Sequence, residues 1–217
     1  MTGKTVLKVG GSLISGADLR SLCRTISLLG KRHSLLVVPG GGQYADLVRR
    51  HHRQYALSEE TSHLMAILAM EQHAYLLADL IAGSRLLPDP RAFAAGSEEG
   101  VCVWVPFSYL AGRRELPASW EITSDSIAAF ASGVAGAEML VLLKDRDGVL
   151  DADPRLDPDA RLLPRVTRAE MAGYRCADSQ FTRYLPHGIS CWVLNGHHPA
   201  RLVELLEQGK TTGTEVV

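Results

Sequence analysis

Four short polar segments stand in a fixed order, each where a strand or a helix is predicted to begin or end. Residues 8–12 and 40–42 are glycine-rich and follow apolar runs. Residues 123–126 open a helical pattern, and residues 144–149 end a third apolar run. Ligands of open α/β sheets bind at the carboxyl ends of the strands. Together the four segments predict one phosphate site and phosphoryl transfer, which none would predict alone.

Apolar runs alternate with helical spacing along the chain. Strands are predicted at residues 5–9, 34–38, 101–105, 139–143, 189–194 and 214–217. Helices are predicted at residues 18–31, 43–53, 59–80, 123–134 and 199–207, with short helices at 108–111, 169–173 and 180–185. Residues 86–100, with Pro88 and Pro90, and residues 151–164 are predicted loops. The alternation predicts an α/β fold with a mostly parallel sheet and helices on both sides. Because no internal repeat is visible, residues 1–217 are expected to form one domain.

Composition limits the possible partners and compartments. The 217 residues carry a net charge of -1, which favours neither nucleic acid nor an anionic membrane. The four cysteines form no C-x-x-C pair, as expected of a reduced cytosolic protein. No signal peptide and no run of about 20 apolar residues is present. We therefore expect a cytoplasmic protein that does not enter membranes.

The two glycine segments suit a phosphate ligand. Glycines after a strand let backbone N–H groups approach an anion closely, and a following helix adds the positive end of its dipole. Lys8 adds a point charge. The alternative for residues 8–12 is a turn that needs glycine for a positive φ. Three consecutive glycines at 40–42 exceed what a turn requires, so a ligand is favoured there.

The other two segments also have a structural alternative. Thr123 or Ser124 is predicted to cap a helix, and the hydroxyls and N–H groups there would also suit an anion. Asp125 would be costly beside a phosphate unless paired with a cation, so it is predicted to orient Lys8. Residues 144–148 follow a buried strand, where a nucleotide would bind. Alone, this segment would be interpreted as a charged turn.

Several other sites are not supported. The sequence has neither a Walker loop nor a G-x-G-x-x-G dinucleotide motif. No histidine and cysteine spacing suggests zinc, and no nucleophile elbow suggests a Ser-His-Asp enzyme. His63 and His73, on the long predicted helix, are interpreted as surface or packing residues.

With these motifs in place, the chain resembles the amino acid kinase superfamily over nearly its whole length. The resemblance implies a three-layer αβα sandwich around a mostly parallel sheet. Residues from about 1 to 115 would bind the phosphoryl acceptor, and residues from about 116 to 217 the nucleotide. It also implies ATP as donor, Mg²⁺ carried by the ATP phosphates rather than by a dedicated protein site, and a homo-oligomer.

Two segments resemble one particular group of kinases within this superfamily. Residues 120–126 and 193–199, with Ser62 and Asp178, are similar to kinases that phosphorylate aminomethyl-furanmethanol phosphate during methanofuran biosynthesis. Residues 8–12 lack the K-x-S-G-E form of uridylate kinases, and Ser62 replaces their nucleoside-binding Asp. The second catalytic lysine of acetylglutamate kinases is not evident; Arg175 or Arg183 are its candidate replacements. A uridylate or carboxylate kinase and a non-catalytic nucleotide- or oxyanion-binding protein remain alternatives.

The resemblance and the motifs imply a role for each site residue. Lys8 and Asp125 would be catalytic, with Asp125 orienting Lys8 on the transferred phosphoryl group. The phosphate-binding set is Gly10, Gly11, Ser12, Gly40, Gly41 and Gly42. The acceptor set is Ser62, Trp120, Thr123 and Ser124, and the ATP set is Lys144, Asp147, Gly148 and Asp153. Trp120 would pack on the furan ring, and Glu121 or Glu60 would pair with its ammonium group.

Overall fold

Short apolar runs form the strands, as their patterning predicts. The computed structural model describes residues 3–14, 16–96, 99–153, 156–174 and 176–217. Its strands are β1 (Thr5–Val9), β2 (Ser34–Pro39), β3 (Arg85–Leu87), β4 (Gly100–Trp104), β5 (Met139–Lys144), β6 (Arg165–Val166), β7 (Ser190–Asn195) and β8 (Thr214–Val216). They form one sheet in the order β3-β4-β2-β1-β5-β7-β8-β6, in which only the β7–β8 pairing is antiparallel.

Helices cover both faces of this sheet. They are α1 (Gly11–Ile14), α2 (Leu19–Leu29), α3 (Gly42–Tyr55), α4 (Glu59–Leu80), α5 (Pro90–Ala95), α6 (Phe107–Leu110), α7 (Ser124–Val134), α8 (Arg168–Met171), α9 (Phe181–Tyr184) and α10 (Pro199–Gln208). The predicted αβα arrangement with a mostly parallel sheet is confirmed. Within the described ranges, no helix is both long enough and apolar enough to cross a bilayer.

The pleat of the two central strands decides which side chains meet at the site. In β1, Val6 belongs to one core and Leu7 to the core on the opposite face. Lys8 shares the face of Val6 because side chains alternate along a strand. The parallel register sets Lys8 beside Leu142, and Lys144 lies two residues further along β5 on the same face. Ile127 of α7 is buried in the same core as Val6, so α7 packs on the face of the sheet that carries Lys8 and Lys144. Both lysines therefore lie near the start of α7.

The long helix α4 begins as its sequence predicts. The Ser58 hydroxyl accepts a hydrogen bond from the backbone N–H of Thr61 at 3.1 Å, and Glu59 and Glu60 occupy the first turn. The carboxylates interact favourably with the positive end of the helix dipole. A cap of this kind is worth about 1 kcal/mol. The capped start fixes the residue at which α4 begins.

One predicted loop is wrong. Residues 86–100 contain most of β3 and all of α5. Pro90 opens α5, where its missing N–H costs nothing, and the Asp89 carboxylate caps the helix through the Arg91 N–H at 2.9 Å. The prolines therefore begin a helix here. The two-residue strand β6 was also not predicted, because it is too short for a pattern and exists through its pairing with β8.

Candidate active site

The two glycine segments meet at the carboxyl edge of adjacent strands, as predicted. The backbone N–H of Gly10 donates to the carbonyl of Leu143 at 2.9 Å, and that of Gly40 donates to the carbonyl of Val9 at 2.8 Å. A Cβ on Gly11 would lie 2.2 Å from the backbone nitrogen of Gly42. Gly42 itself has a φ of +47°. The close packing of the two backbones therefore requires glycine at positions 11 and 42. The same two glycines are also suited to a ligand.

His73 of α4 contacts the backbone of the second glycine segment, residues 40–42, at Gly40. Its side chain is fully buried, and its Nδ1 lies 2.6 Å from the carbonyl oxygen of Gly40. A carbonyl only accepts, so Nδ1 carries the proton. Burial lowers the pKa of His73, which keeps the ring neutral near pH 7. The interpretation of His73 as a packing residue holds, but its bond to Gly40 had no signal in the sequence.

Lys8, Asp125 and Lys144 form a buried charge cluster. Lys8 Nζ lies 2.8 Å from Asp125 Oδ1, and Lys144 Nζ lies 2.6 Å from Asp125 Oδ2. The side chains are 5%, 7% and 14% exposed in the order Lys8, Asp125 and Lys144. The predicted contact between Asp125 and Lys8 is present. The contact with Lys144 is additional, since that lysine was predicted only to bind ATP.

The electrostatics of the cluster favour an anion. Burial opposes ionisation of Asp125, but Lys144 and Lys8 together hold its pKa at about 2. Burial lowers the pKa of Lys8, whereas the Asp125 carboxylate outweighs burial and raises the pKa of Lys144. One carboxylate thus serves two lysines, so a positive charge remains unbalanced when both are protonated. An ionised Asp125 with so low a pKa is not a general base at neutral pH.

Protonation of Asp125 should weaken the fold in acid. Its folded pKa of about 2 lies below the ordinary 3.8, so the stabilisation is present above pH 4 and is lost as the pH falls towards 2. We expect the difference in unfolding free energy between wild type and Asp125→Asn to shrink by about 2 kcal/mol from pH 7 to pH 2.5. Urea unfolding of both proteins across that range measures it. A difference that does not change with pH would contradict the assignment.

A cavity of about 360 Å³ opens beside the glycine segments and the charge cluster. One end is lined by Lys8, Gly11, Ser12, Gly41 and Gly42. The walls include Trp120, Thr123, Ser124 and Asp125 together with apolar residues of α4 and α7. The cavity therefore joins the predicted phosphate-binding and acceptor sets. Gly10 and Gly40 shape its floor through their backbone bonds without lining it.

The opposite end of the cavity carries charged groups that were not predicted. Asp46, Arg49 and Glu59 line it. Arg49 Nη1 donates to Asp46 Oδ1 at 2.6 Å, and its guanidinium carbon lies 5.2 Å from the centroid of the Trp120 ring. Glu60 and Glu121, the predicted partners for an ammonium group, are not among the residues that line the cavity. The three-residue spacing of Asp46 and Arg49 on α3 was the only signal for this end.

Two residues of the predicted acceptor set have other partners. Ser62 is fully buried and its Oγ lies 2.8 Å from Nδ1 of His52, whose ring meets that of Trp120 edge-on at 5.6 Å. Neither Ser62 nor His52 is among the residues that line the cavity. Thr123 lines the cavity, but its hydroxyl donates to Asp178 Oδ2 at 2.7 Å. Its single proton is therefore not available to a phosphate in this arrangement.

The predicted ATP set lies outside this cavity. Asp147 Oδ1 accepts hydrogen bonds from Asn195 at 3.0 Å and from Arg201 at 2.5 Å, and these donors lower its pKa. Gly148 has a φ of +153°, and a Cβ there would lie 2.5 Å from Thr214 Oγ1. Asp153 is half-buried in the loop after β5. Lys144 belongs both to this set and to the charge cluster.

The remaining predictions concern the second lysine and the metal. Arg175 lies outside the described residues, and Arg183, on α9, does not line the cavity. The lysine found opposite Lys8 is Lys144, on the other oxygen of Asp125. Within the part of the chain that the structure describes, no three His, Cys, Asp or Glu side chains gather as metal ligands.

Comparisons with known proteins agree with this geometry. The chain is 26% identical to a [5-(aminomethyl)furan-3-yl]methyl phosphate kinase of Methanocaldococcus jannaschii, covering 98% of this chain and 97% of that one. It is 27% identical to a uridylate kinase of Methanospirillum hungatei, over 97% and 93% of the two chains. The solved structure of a uridylate kinase from Archaeoglobus fulgidus superposes with a TM-score of 0.79 at 22% identity, covering 99% and 100%.

The sequence profile of the amino acid kinase family matches residues 3–185, which is well over half of the chain. The matched region contains both glycine segments, the Lys8–Asp125–Lys144 cluster and the cavity beside them. The similar proteins are kinases, so phosphoryl transfer is the chemistry that this arrangement serves. The chain therefore belongs to the amino acid kinase family and is a phosphotransferase.

Proposed function

We propose that the protein transfers the γ-phosphoryl group of Mg·ATP to a phosphomonoester and forms a diphosphate. The observation that carries this proposal is the cavity in which the glycine segments and the Lys8–Asp125 pair adjoin an aromatic wall. A phosphate oxygen is already a nucleophile near neutral pH and needs no general base. This agrees with the pKa of about 2 for Asp125, which leaves that carboxylate unable to act as a general base near neutral pH.

Catalysis would consist of positioning and charge neutralisation. Lys8 would neutralise the transferred phosphoryl group from the acceptor side, and Lys144 would do so from the nucleotide side. Backbone N–H groups of the glycine segments would hold its oxygens. Asp147, Gly148 and Asp153 would lie against ATP, whose phosphates would bring the Mg²⁺. Residues from about 1 to 115, joined by Trp120 and Ser124 from the other half, would thus bind the acceptor, and the rest of residues 116 to 217 would bind the nucleotide.

We propose aminomethyl-furanmethanol phosphate as the acceptor. Support comes from the 26% identical kinase of Methanocaldococcus jannaschii, whose name gives this substrate. Trp120 offers a flat face for a furan ring, and Asp46 and Glu59 offer carboxylates for an ammonium group. Glu59 is the better candidate because Asp46 is already paired with Arg49 at 2.6 Å. The acceptor phosphate would lie at the other end, near Lys8.

UMP is the second candidate acceptor. It is favoured by the uridylate kinases among the similar sequences and by the TM-score of 0.79 with such a structure. A uracil ring would also stack on Trp120. The charged end of the cavity distinguishes the two, because uracil is neutral and has no group that requires a carboxylate.

Phosphorus NMR of the purified protein with Mg·ATP tests both acceptors. One sample contains aminomethyl-furanmethanol phosphate and a parallel sample contains UMP. We expect a new pair of diphosphate signals, together with ADP, in the furan sample only. Diphosphate from UMP alone would assign the protein to nucleotide metabolism. ADP formation in neither sample would contradict both acceptors.

A further inference from the structure

The carboxylate of Asp178 joins the start of α7 to the segment before α9. Asp178 Oδ2 accepts hydrogen bonds from the Thr123 hydroxyl at 2.7 Å, the Thr123 N–H at 3.0 Å and the Ser126 N–H at 3.1 Å. Asp178 Oδ1 accepts from the Ser126 hydroxyl and from the Gln180 N–H at 3.1 Å. We propose that Asp178 is a positioning residue that orients residues 123–126 so that Ser124 meets the acceptor phosphate; this rests on the function proposed above.

The hydrogen bonds at the start of α7 leave the two donor groups of Ser124 available to a ligand. The N–H and hydroxyl groups of both Thr123 and Ser126 donate to Asp178. The Asp125 N–H donates to Thr123 Oγ1 at 3.4 Å. The N–H and hydroxyl of Ser124 have no hydrogen-bond partner among the residues that the structure describes, and Ser124 lines the cavity. Both donors of Ser124 are therefore available to a ligand.

The charge of Asp178 does not conflict with an anionic substrate. Asp178 does not line the acceptor cavity, and its two oxygens are occupied by donors. Its negative charge contributes, after Asp125, to the raised pKa of Lys144. A carboxylate in this place therefore supports the ammonium group of Lys144 without adding a second negative charge to the cavity wall beside Asp125.

The same hydrogen bonds determine the position of Asp125. Asp178 holds the residues on both sides of Ser124 and Asp125, and Asp125 in turn contacts Lys8 and Lys144 at 2.8 and 2.6 Å. A shift of residues 123–126 would therefore move both the phosphate-facing Ser124 and the carboxylate that orients the lysines. Loss of Asp178 should affect both acceptor binding and the chemical step.

Asp178→Asn tests the inference, because it keeps the size of the side chain but replaces one accepting oxygen with a donor. We expect kcat/KM for the acceptor to fall about 100-fold, with KM for ATP unchanged. Ser124→Ala should raise the acceptor KM about tenfold, as expected for one lost hydrogen bond to a charged group. Asp79→Asn, an exposed acid of α4, is the matched control and should behave as wild type.

A double variant separates positioning from general stability. Thr123→Val removes the donor that bonds Asp178, so the pair Thr123→Val and Asp178→Asn should be no worse than Asp178→Asn alone. The acceptor is whichever of aminomethyl-furanmethanol phosphate and UMP the NMR experiment shows to be converted. Acceptor binding is also measured without ATP by isothermal titration calorimetry, and folding by thermal unfolding.

The outcomes distinguish this inference from the proposed function. Wild type that converts and binds neither acceptor overturns both. Active wild type with an equally active Asp178→Asn variant overturns only the inference. A lower melting temperature with unchanged acceptor KM and kcat shows a purely structural role and also overturns it. A specific loss in acceptor kcat/KM and in calorimetric affinity, with ATP affinity kept, supports it.

Discussion

Lys8→Met should lower kcat by about 10³-fold while the protein stays folded. Lys8 lines the cavity and its Nζ lies 2.8 Å from Asp125 Oδ1, so its loss removes the charge that we propose neutralises the transferred phosphoryl group. Asp125 keeps Lys144 at 2.6 Å, so no buried carboxylate is left unpaired. We therefore expect KM for ATP and the melting temperature to change little. Steady-state kinetics and thermal unfolding measure the three quantities.

The matched control is Lys210→Met, which removes an exposed lysine. It should retain wild-type kcat, and it shows that total charge is not the cause. Removing the carboxylate of the cluster instead, with Asp125→Asn, should lower the free energy of unfolding by about 3–5 kcal/mol, because two buried ammonium groups lose their counter-ion. Normal turnover by Lys8→Met would disprove the proposed role of Lys8.

Gly11→Ala should remove activity and weaken the fold. The new Cβ would lie 2.2 Å from the nitrogen and 2.4 Å from the Cα of Gly42, and backbone atoms cannot move away cheaply. The two glycine segments would have to separate, which breaks the arrangement of N–H groups around a phosphate. We expect a loss of about 1–3 kcal/mol in unfolding free energy from overpacking. We also expect kcat/KM to fall by at least about 10²-fold.

Gly96→Ala is the control for this substitution. Gly96 has an ordinary backbone conformation, with φ -76° and ψ 145°, and the nearest atoms to an added Cβ lie at 3.5 Å. Its free energy of unfolding and its kcat/KM for the acceptor should equal those of wild type. Urea unfolding and acceptor kinetics of the three proteins make the comparison. A Gly11→Ala protein with wild-type kinetics would show that the close approach of the two segments is not needed for function.

Much of the fold followed from local patterns. Short apolar runs predicted the central strands, and the Ser58 cap predicted the start of α4. The glycine segments were predicted to share one edge because parallel strands end at the same edge of a sheet. The failure at residues 86–100 was also local. Pro88 and Pro90 were interpreted as signs of a loop, although proline at the first position of a helix, as at Pro90, is favourable.

The candidate site was harder to predict because its contacts join residues far apart in the chain. The lysine that shares Asp125 with Lys8 lies on β5, which reaches the cluster only through the β1–β5 register. The bond from His73 to Gly40 depends on how α4 crosses the end of β2. Asp46 and Glu59 line the cavity, whereas the neighbouring Glu60 does not, because one helical position turns a side chain by about 100°.

The sequence by itself determined the alternation of strands and helices, the glycine segments and the pairing of Lys8 with Asp125. The first two depend on period, caps and backbone freedom, which neighbouring residues settle, and the pairing was predicted because a carboxylate beside phosphates needs a cation. Only the tertiary structure decided that Lys144 is the second lysine on Asp125, that Thr123 gives its proton to Asp178, and that Ser62 lies behind the cavity. Strand order, register and helix rotation decide such contacts, and they are set by the packing of the whole sheet.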